Sequence, residues 1–289
     1  MPNSHLINIL NDWMQWPSIC QQHPSLEELT PLNEGLTNEN WLFQPKDSQA
    51  QYVIRCNSNK ESDFYINRHH EREVHQSISE LGLCPAVIFE NKEKNYWIRP
   101  YINGKTLKET LVNNSSPELL NQVTQILKQV HQLPLNQHWP TIDLNDRIES
   151  YWQQLISKQP DQAKELEHLK TAIERQFKTS NDFKPCLCHM DCNTQNWIIN
   201  QNETHLIDWE YAHIGNPAWD LAVLSESAQL NATQIKAMLK QYQSISITQF
   251  NQAKQEMQYL ESLWFAIKLN LSLAEFSTTL NSIWSINKP

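Results

Sequence analysis

The first hundred residues read as strand-rich, and the remainder as helical. Leu36 to Phe43 and Tyr52 to Arg55 predict an antiparallel strand pair around the turn Pro45-Lys46-Asp47-Ser48. Asn67 to Leu81 reads as a helix ended by Gly82. A second strand pair follows at Ala86-Val87-Ile88-Phe89 and Tyr96-Trp97-Ile98, around the charged run from Glu90 to Asn95. Pro100 to Gly104 reads as a crossing segment, and beyond it the period changes. Ser115-Ser116-Pro117-Glu118 combines a cap residue, an early proline and a first-turn acid, which is a helix start. Leu119, Leu120, Val123, Ile126, Leu127 and Val130 then recur at helical spacing up to Pro134, as a core stripe. Leu260, Leu263, Trp264, Ile267 and Leu271 keep that period in a helical stretch from Gln252 to about Ile283. The expected class is α+β, with residues 1–100 as one lobe and 101–289 as a larger, mostly helical one.

Composition narrows the function. The chain has 289 residues, 39% hydrophobic and 19% charged, ordinary for a soluble globular protein. Its net charge of -9 argues against a nucleic-acid surface and is compatible with a cationic substrate. No apolar run approaches the ~20 residues of a membrane span. Met1-Pro2-Asn3-Ser4-His5 has no basic region before a hydrophobic core, so no signal peptide is expected. The expectation is a cytoplasmic protein whose 6 cysteines are reduced. Cys186, Cys188 and Cys192 surround His189 and admit a zinc reading. Against it, Cys186 and Cys188 alternate on a strand, and no second pair lies at zinc-ribbon spacing.

The chemistry concentrates between Cys188 and Ala212, which holds His189, Asp191, Asn196, Asp208 and Glu210. Asn196, Asp208 and Glu210 offer oxygens that suit Mg²⁺, a hard cation that also takes substrate phosphates. Asp191 is then left to act on a substrate hydroxyl, the division of labour that phosphoryl transfer needs. The flanking apolar runs, Trp197-Ile198-Ile199 and Leu206-Ile207, separate this block from an acidic cluster on a solvated loop.

His189-x-Asp191-x4-Asn196 followed by Ile207-Asp208-Trp209-Glu210 resembles the aminoglycoside phosphotransferase and choline kinase superfamily. Its continuation, Tyr211-Ala212, is similar to the choline/ethanolamine and thiamine kinase branches. The resemblance implies a bilobal protein-kinase-like fold: an N-terminal nucleotide-binding lobe of antiparallel sheet plus helix, and a C-terminal catalytic and acceptor-binding lobe. It also implies ATP and Mg²⁺ as cofactors. Asp191 would be the base and His189 a brace of its loop. Asn196, Asp208 and Glu210 would be metal ligands. Asp220, in Gly215-Asn216-Pro217-Ala218-Trp219-Asp220, would anchor the loop or serve as a plain first-turn acid.

In the first lobe, Gly35-Leu36-Thr37-Asn38 resembles the family's phosphate-covering loop, and Gly35, Thr37 and Asn38 are assigned to the nucleotide. Glu34 stands where relatives often carry a second glycine, and its carboxylate is expected to point away. Arg55, in Tyr52-Val53-Ile54-Arg55, matches the cation that holds nucleotide phosphates, with Glu71 rather than Glu73 as its helix partner. His69, His70 and His75 read as solvated.

The acceptor is less defined. Among 11 tryptophans, Trp264, with Glu261 one turn before it, resembles the aromatic-acidic lining of choline kinase pockets. Tyr151 and Trp152 are weaker candidates. The expected reaction is phosphoryl transfer to a small cationic alcohol of choline, ethanolamine or thiamine type. The alternatives are an aminoglycoside or other sugar-hydroxyl kinase, and a nucleotide-binding pseudokinase regulator. The sequence does not specify an oligomeric state.

Overall fold

The computed structural model describes residues 3–16, 18–32, 37–58, 64–113, 117–175, 177–179, 182–201 and 203–283. Glu34 and Gly35 lie outside the described residues, as do the predicted helix-start residues Ser115 and Ser116. The chain divides into two compact units, Met1–Lys105 with Ile198–Ile207, and Thr106–Trp197 with Asp208–Pro289. No helix among the described residues is long and apolar enough to cross a membrane.

The first unit opens with α1 (Asn3–Asn11), β1 (Leu29–Leu32), β2 (Glu39–Phe43) and β3 (Tyr52–Cys56). Then come α2 (Arg68–Glu80), β4 (Phe89–Glu90) and β5 (Tyr96–Pro100). The five strands form one antiparallel sheet in the order β1-β2-β3-β5-β4. β1 is not predicted from the sequence, because its two central residues, Thr30 and Pro31, are both exposed and show no strand alternation. A core of Leu6, Ile9, Trp16, Phe43, Ile54, Tyr96 and Ile98 ties α1 to the sheet. Trp16 Nε1 donates to the Tyr96 hydroxyl at 3.0 Å, which satisfies the indole inside that core. α2 matches its expected span. Asn67 caps it by accepting from the His69 and His70 amides, worth about 1 kcal/mol. Gly82 ends it at φ +73, a conformation open to glycine without strain.

The chain continues through β6 (Lys105–Thr106), α3 (Leu107–Asn113), α4 (Pro117–His131), α5 (Leu144–Lys158), α6 (Ala163–Glu174) and β7 (Cys186–Cys188). β8 (Trp197–Asn200), β9 (Glu203–Leu206) and β10 (His213–Gly215) follow, then α7 (Pro217–Ser227), α8 (Ala232–Tyr242), α9 (Ile247–Lys268) and α10 (Leu273–Ile283). Residues 198–207 return to the first unit, where the Leu206 amide donates to the Leu83 carbonyl at 2.9 Å.

In the second unit α9 packs on α5, α7 and α10, while α4 packs on α8. The expected stripe of α4 is buried at Leu119, Val123, Ile126, Leu127 and Val130. The single C-terminal helix expected from the period is two helices. Ser272 and Glu275 exchange capping hydrogen bonds that start α10, and Asn270 takes φ 51 between the two. Tyr151 and Trp152 are core residues rather than pocket lining. Trp152 is fully buried, donates to the Tyr259 hydroxyl at 2.6 Å and stacks edge-on against Phe276.

His75 also departs from expectation. It is buried and bonded to the Pro85 carbonyl at 2.7 Å, with its ring near Trp97. Burial, against the Pro85 hydrogen bond and Glu71, pulls its pKa down to about 4. The unfolded chain therefore takes up this proton first as pH falls, and stability is lost from about pH 6.5 down to about 4. His75→Gln keeps a donor for Pro85 and cannot titrate. Its melting temperature should fall less steeply than wild type between pH 7 and 4.5, by about 2 °C or more. Parallel curves for the two proteins would show that His75 does not titrate as described.

Candidate active site

In the second unit, β7 and β10 pair antiparallel, with His213 opposite Cys188 and Gly215 opposite Cys186. This pairing brackets the residues between them that stay in the unit: the 189–197 loop and the 208–212 loop. Gly215 is required here, because a Cβ would lie 2.3 Å from the Trp219 ring. Asn216 then caps α7 and Pro217 starts it.

The 189–196 loop is held from below. Asp220, in the first turn of α7, accepts from the His189 amide at 2.7 Å and the Met190 amide at 2.8 Å. Its carboxylate also meets His131 Nε2 at 2.9 Å, and His131 Nδ1 meets the Tyr242 hydroxyl at 2.7 Å. Burial would raise the Asp220 pKa. The His131 hydrogen bond and charge, with help from His189, reverse this and hold it below the ordinary carboxylate value. Of the two readings of Asp220, the loop anchor is the one observed. Thr194 adds a second tether, its amide donating to Ser227 Oγ at 2.8 Å.

His189 is fully buried, packs edge-on against Trp209 at 4.5 Å and accepts the Asp191 amide proton on Nδ1 at 3.2 Å. With Nδ1 an acceptor, the neutral ring carries its proton on Nε2. The ring therefore lies between the loop backbone and Trp209.

Asp191 is surrounded by amides. Asn193 Nδ2 donates to one carboxylate oxygen at 2.8 Å, and Asn196 Nδ2 donates to the other at 2.9 Å. Because Asn196 Nδ2 is spent on Asp191, its amide oxygen is the atom it can offer a cation. Asp208 sits at φ 69 and Met190 at φ 68, left-handed conformations that cost roughly 1–2 kcal/mol in a non-glycine residue and cluster at functional sites. Glu210 is buried. The side chain of Asp191 is half-buried by area, but its carboxylate lies deep. That depth, and then the charges of Asp208 and Glu210, push its pKa up to about 7 against the two asparagine hydrogen bonds. Asp191, Asn196, Asp208 and Glu210 thus converge, and two carboxylates with an amide oxygen make a hard donor set that fits Mg²⁺.

Tyr211 extends this segment. Its hydroxyl accepts from Trp264 Nε1 at 3.1 Å, and its carbonyl accepts from His213 Nδ1 at 2.7 Å. Arg147 Nη2 donates to the other His213 nitrogen at 3.3 Å. Trp264 is half-buried, with the Lys268 ammonium 6.0 Å from its ring centre, and Glu261 is exposed.

Cys186, Cys188 and Cys192 belong to the core. Cys186 and Cys188 have sulfurs 3.7 Å apart, and His131 lies close to both. Both His131 ring nitrogens are engaged, so the imidazole has no lone pair left for zinc. Burial, first of all, raises the Cys188 and Cys192 thiols well above their ordinary values.

In the first unit, Arg55 Nη1 pairs with Glu71 at 2.7 Å, both side chains buried. The Arg55 guanidinium lies 5.2 Å from the centre of the Trp97 ring, its cross-strand neighbour on β5. Thr37 is half-buried, and Asn38 is buried with its side-chain oxygen accepting from Arg68 at 2.9 Å.

Arg68, Asn193, His131 and Tyr242 were missed in the sequence. Asn193 stands inside the motif, where only its spacing from Asp191 could have signalled it. His131 and Tyr242 act through partners distant in sequence, and Arg68 joins a near one, Glu71, to a distant one, Asn38.

Residues 28–260 match the model of the phosphotransferase enzyme family, and the chain belongs to that family. It is a small-molecule kinase, a phosphotransferase acting on hydroxyl groups, with a protein-kinase-like fold. A LicA homolog from Mycoplasma capricolum is 24% identical over 213 residues, 71% of this chain and 79% of that protein. The thiamine kinase of Escherichia coli O157:H7 is 25% identical over 204 residues, 70% of this chain and 67% of that protein. The structure of choline kinase LicA from Streptococcus pneumoniae, 21% identical, aligns with a TM-score of 0.72 over 98% of this chain and 100% of its own.

The raised Asp191 pKa has a stability consequence. The folded state keeps this proton up to about pH 7, while the unfolded chain loses it above about 3.8, so stability falls as pH rises through that window. Without metal, Asp191→Asn should gain on wild type in melting temperature between pH 4 and 7.5, by at least about 2 °C. A gap that stays constant with pH would contradict the assignment.

Proposed function

We propose that this chain transfers the γ-phosphate of ATP to the hydroxyl of a small cationic alcohol, of the choline, ethanolamine or thiamine type. The observation that carries the reading is the convergence of Asp191, Asn196, Asp208 and Glu210 on loops braced by Asp220 and Trp209. The named relatives, choline kinase and thiamine kinase, support the choice of acceptor.

In the second unit, Asp191 would accept the acceptor's hydroxyl proton, or orient that hydroxyl, as the phosphoryl group departs. Asn193 and Asn196 keep its two oxygens aimed. Asn196, Asp208 and Glu210 would hold Mg²⁺, which when bound offsets charge on the transferring phosphates. His189 and Asp220 hold the loop so that the carboxylate does not have to reorganise during the reaction. In the first unit, Arg55 would bind nucleotide phosphates through its planar fork, oriented by Glu71 and the Trp97 face, with Gly35, Thr37 and Asn38 in the adjoining loop. Residues 1–100 would thus serve the nucleotide, and residues 101–289 the chemistry and the acceptor, in a cytoplasmic enzyme.

One observation favours a sugar-hydroxyl acceptor instead. Lys268 already lies over the Trp264 ring, at the edge of the ~6 Å range for cation–π attraction, so that face is shared with an intrachain cation.

The test is turnover of Mg-ATP with choline, ethanolamine, thiamine and an aminoglycoside, read by product mass. A phosphorylated cationic alcohol is expected. Phosphate on the aminoglycoside alone would transfer the proposal to the alternative, and no product from any of the four would contradict this choice of acceptors. Asp208→Ala should abolish magnesium-dependent ATP binding in a calorimetric titration, and unchanged affinity would remove Asp208 from the metal site.

A further inference from the structure

Arg68 opens α2 and has no part in the motifs or the mechanism described so far. It is buried, with only 6% of its surface exposed. One arm of its guanidinium, Nη1, donates to Glu71 Oε2 at 2.7 Å, and the other, Nη2, donates to Asn38 Oδ1 at 2.9 Å. The second Glu71 oxygen is the one that meets Arg55. The Ser58 amide, just past β3, also donates to Asn38 Oδ1, at 3.3 Å. Four side chains therefore form one buried chain, Asn38–Arg68–Glu71–Arg55, joining the residue that enters β2 to the cation on β3.

We infer that Arg68 is a positioning residue for the nucleotide. It couples Asn38 to the Arg55–Glu71 pair, so that the approach to β2 and the phosphate-binding cation are held in one geometry. This rests on the proposed assignment of Arg55 and the approach to β2 to the nucleotide. The chemistry of the link is specific. A planar fork with donors pointing in two directions spans a carboxylate and an amide oxygen at once; an ammonium is a point charge on a flexible stem. Glu71 alone could be satisfied by lysine, but the bridge could not. Asn38 also changes its role under this inference. Its side-chain oxygen is committed to Arg68 and Ser58, so it acts through this hydrogen-bonded chain.

Arg68→Lys separates the bridge from the charge. It keeps a cation beside Glu71, which protects the fold, and loses the second arm. The expected result is a rise of about tenfold in KM and Kd for Mg-ATP, with kcat at saturating ATP and KM for the acceptor within about twofold of wild type. Asn38→Ala, which cuts the other end without disturbing any charge, should give the same pattern. The double variant should be no worse than either single one, because both remove one link. Wild-type nucleotide affinity in Arg68→Lys or Asn38→Ala would overturn the inference. So would a loss shared by ATP and acceptor in proportion to a lowered melting temperature, which is the mark of a purely structural residue. If Arg68→Lys does not fold, Arg68→Gln, which keeps one donor beside Glu71 and loses the second arm, takes its place with the same expected and contradicting results. A wild-type protein that fails to bind Mg-ATP would refute the functional reading itself. One that binds it, with both variants unchanged, would refute only the role of Arg68.

Discussion

The loop from His189 to Asn196 has no regular secondary structure, so its backbone amides find no partners in a ladder. Asp220 supplies acceptors for two of them from the first turn of a buried helix. The requirement runs both ways, since a buried carboxylate without donors would not stay charged. Two amides and the His131 ring meet that need, and the Tyr242 hydroxyl completes the line by meeting the other side of His131. The position of Asp191 follows from this anchor. His189 is fixed by its own amide, its ring is pressed on Trp209, and its Nδ1 then receives the Asp191 amide.

The repulsion among Asp191, Asp208 and Glu210 is the complement of that rigidity. Negative charge is gathered on these two loops, and burial first, then the charges of Asp208 and Glu210, raise the Asp191 pKa. The proposed Mg²⁺ would offset this unfavourable charge when bound. Asn193 and Asn196 soften it by donating to both Asp191 oxygens, and they do so without neutralising the carboxylate.

Much of this was legible in the sequence because the chemistry-bearing residues are close along the chain. Asp191 and Asn196, then Asp208 and Glu210, occupy two short runs whose spacing survives without any tertiary information. α2 and α4 were legible for a similar reason, since caps and stripes are local. The bracing was not. Asp220 and His131 are 89 residues apart, His131 and Tyr242 are 111 apart, and Arg68 and Asn38 are 30 apart. Nothing local marks such pairs. Other differences have local causes that were overridden. The capping exchange between Ser272 and Glu275 cut a continuous helical period in two. A histidine on a polar helix, His75, went inside because Pro85 offered a carbonyl. Tyr151 and Trp152, aromatic and near the middle of a helix, could not be told from pocket lining until their partners were seen.

Asp191 is proposed to act on the acceptor hydroxyl, while the nucleotide is held by other residues. This role is tested most directly by measuring turnover and Mg-ATP affinity together in Asp191→Asn, with an acceptor that the wild type phosphorylates. The expected result is a loss of about 10²–10⁴-fold in kcat with the Kd for Mg-ATP within about twofold of wild type. Turnover near the wild-type rate would contradict it.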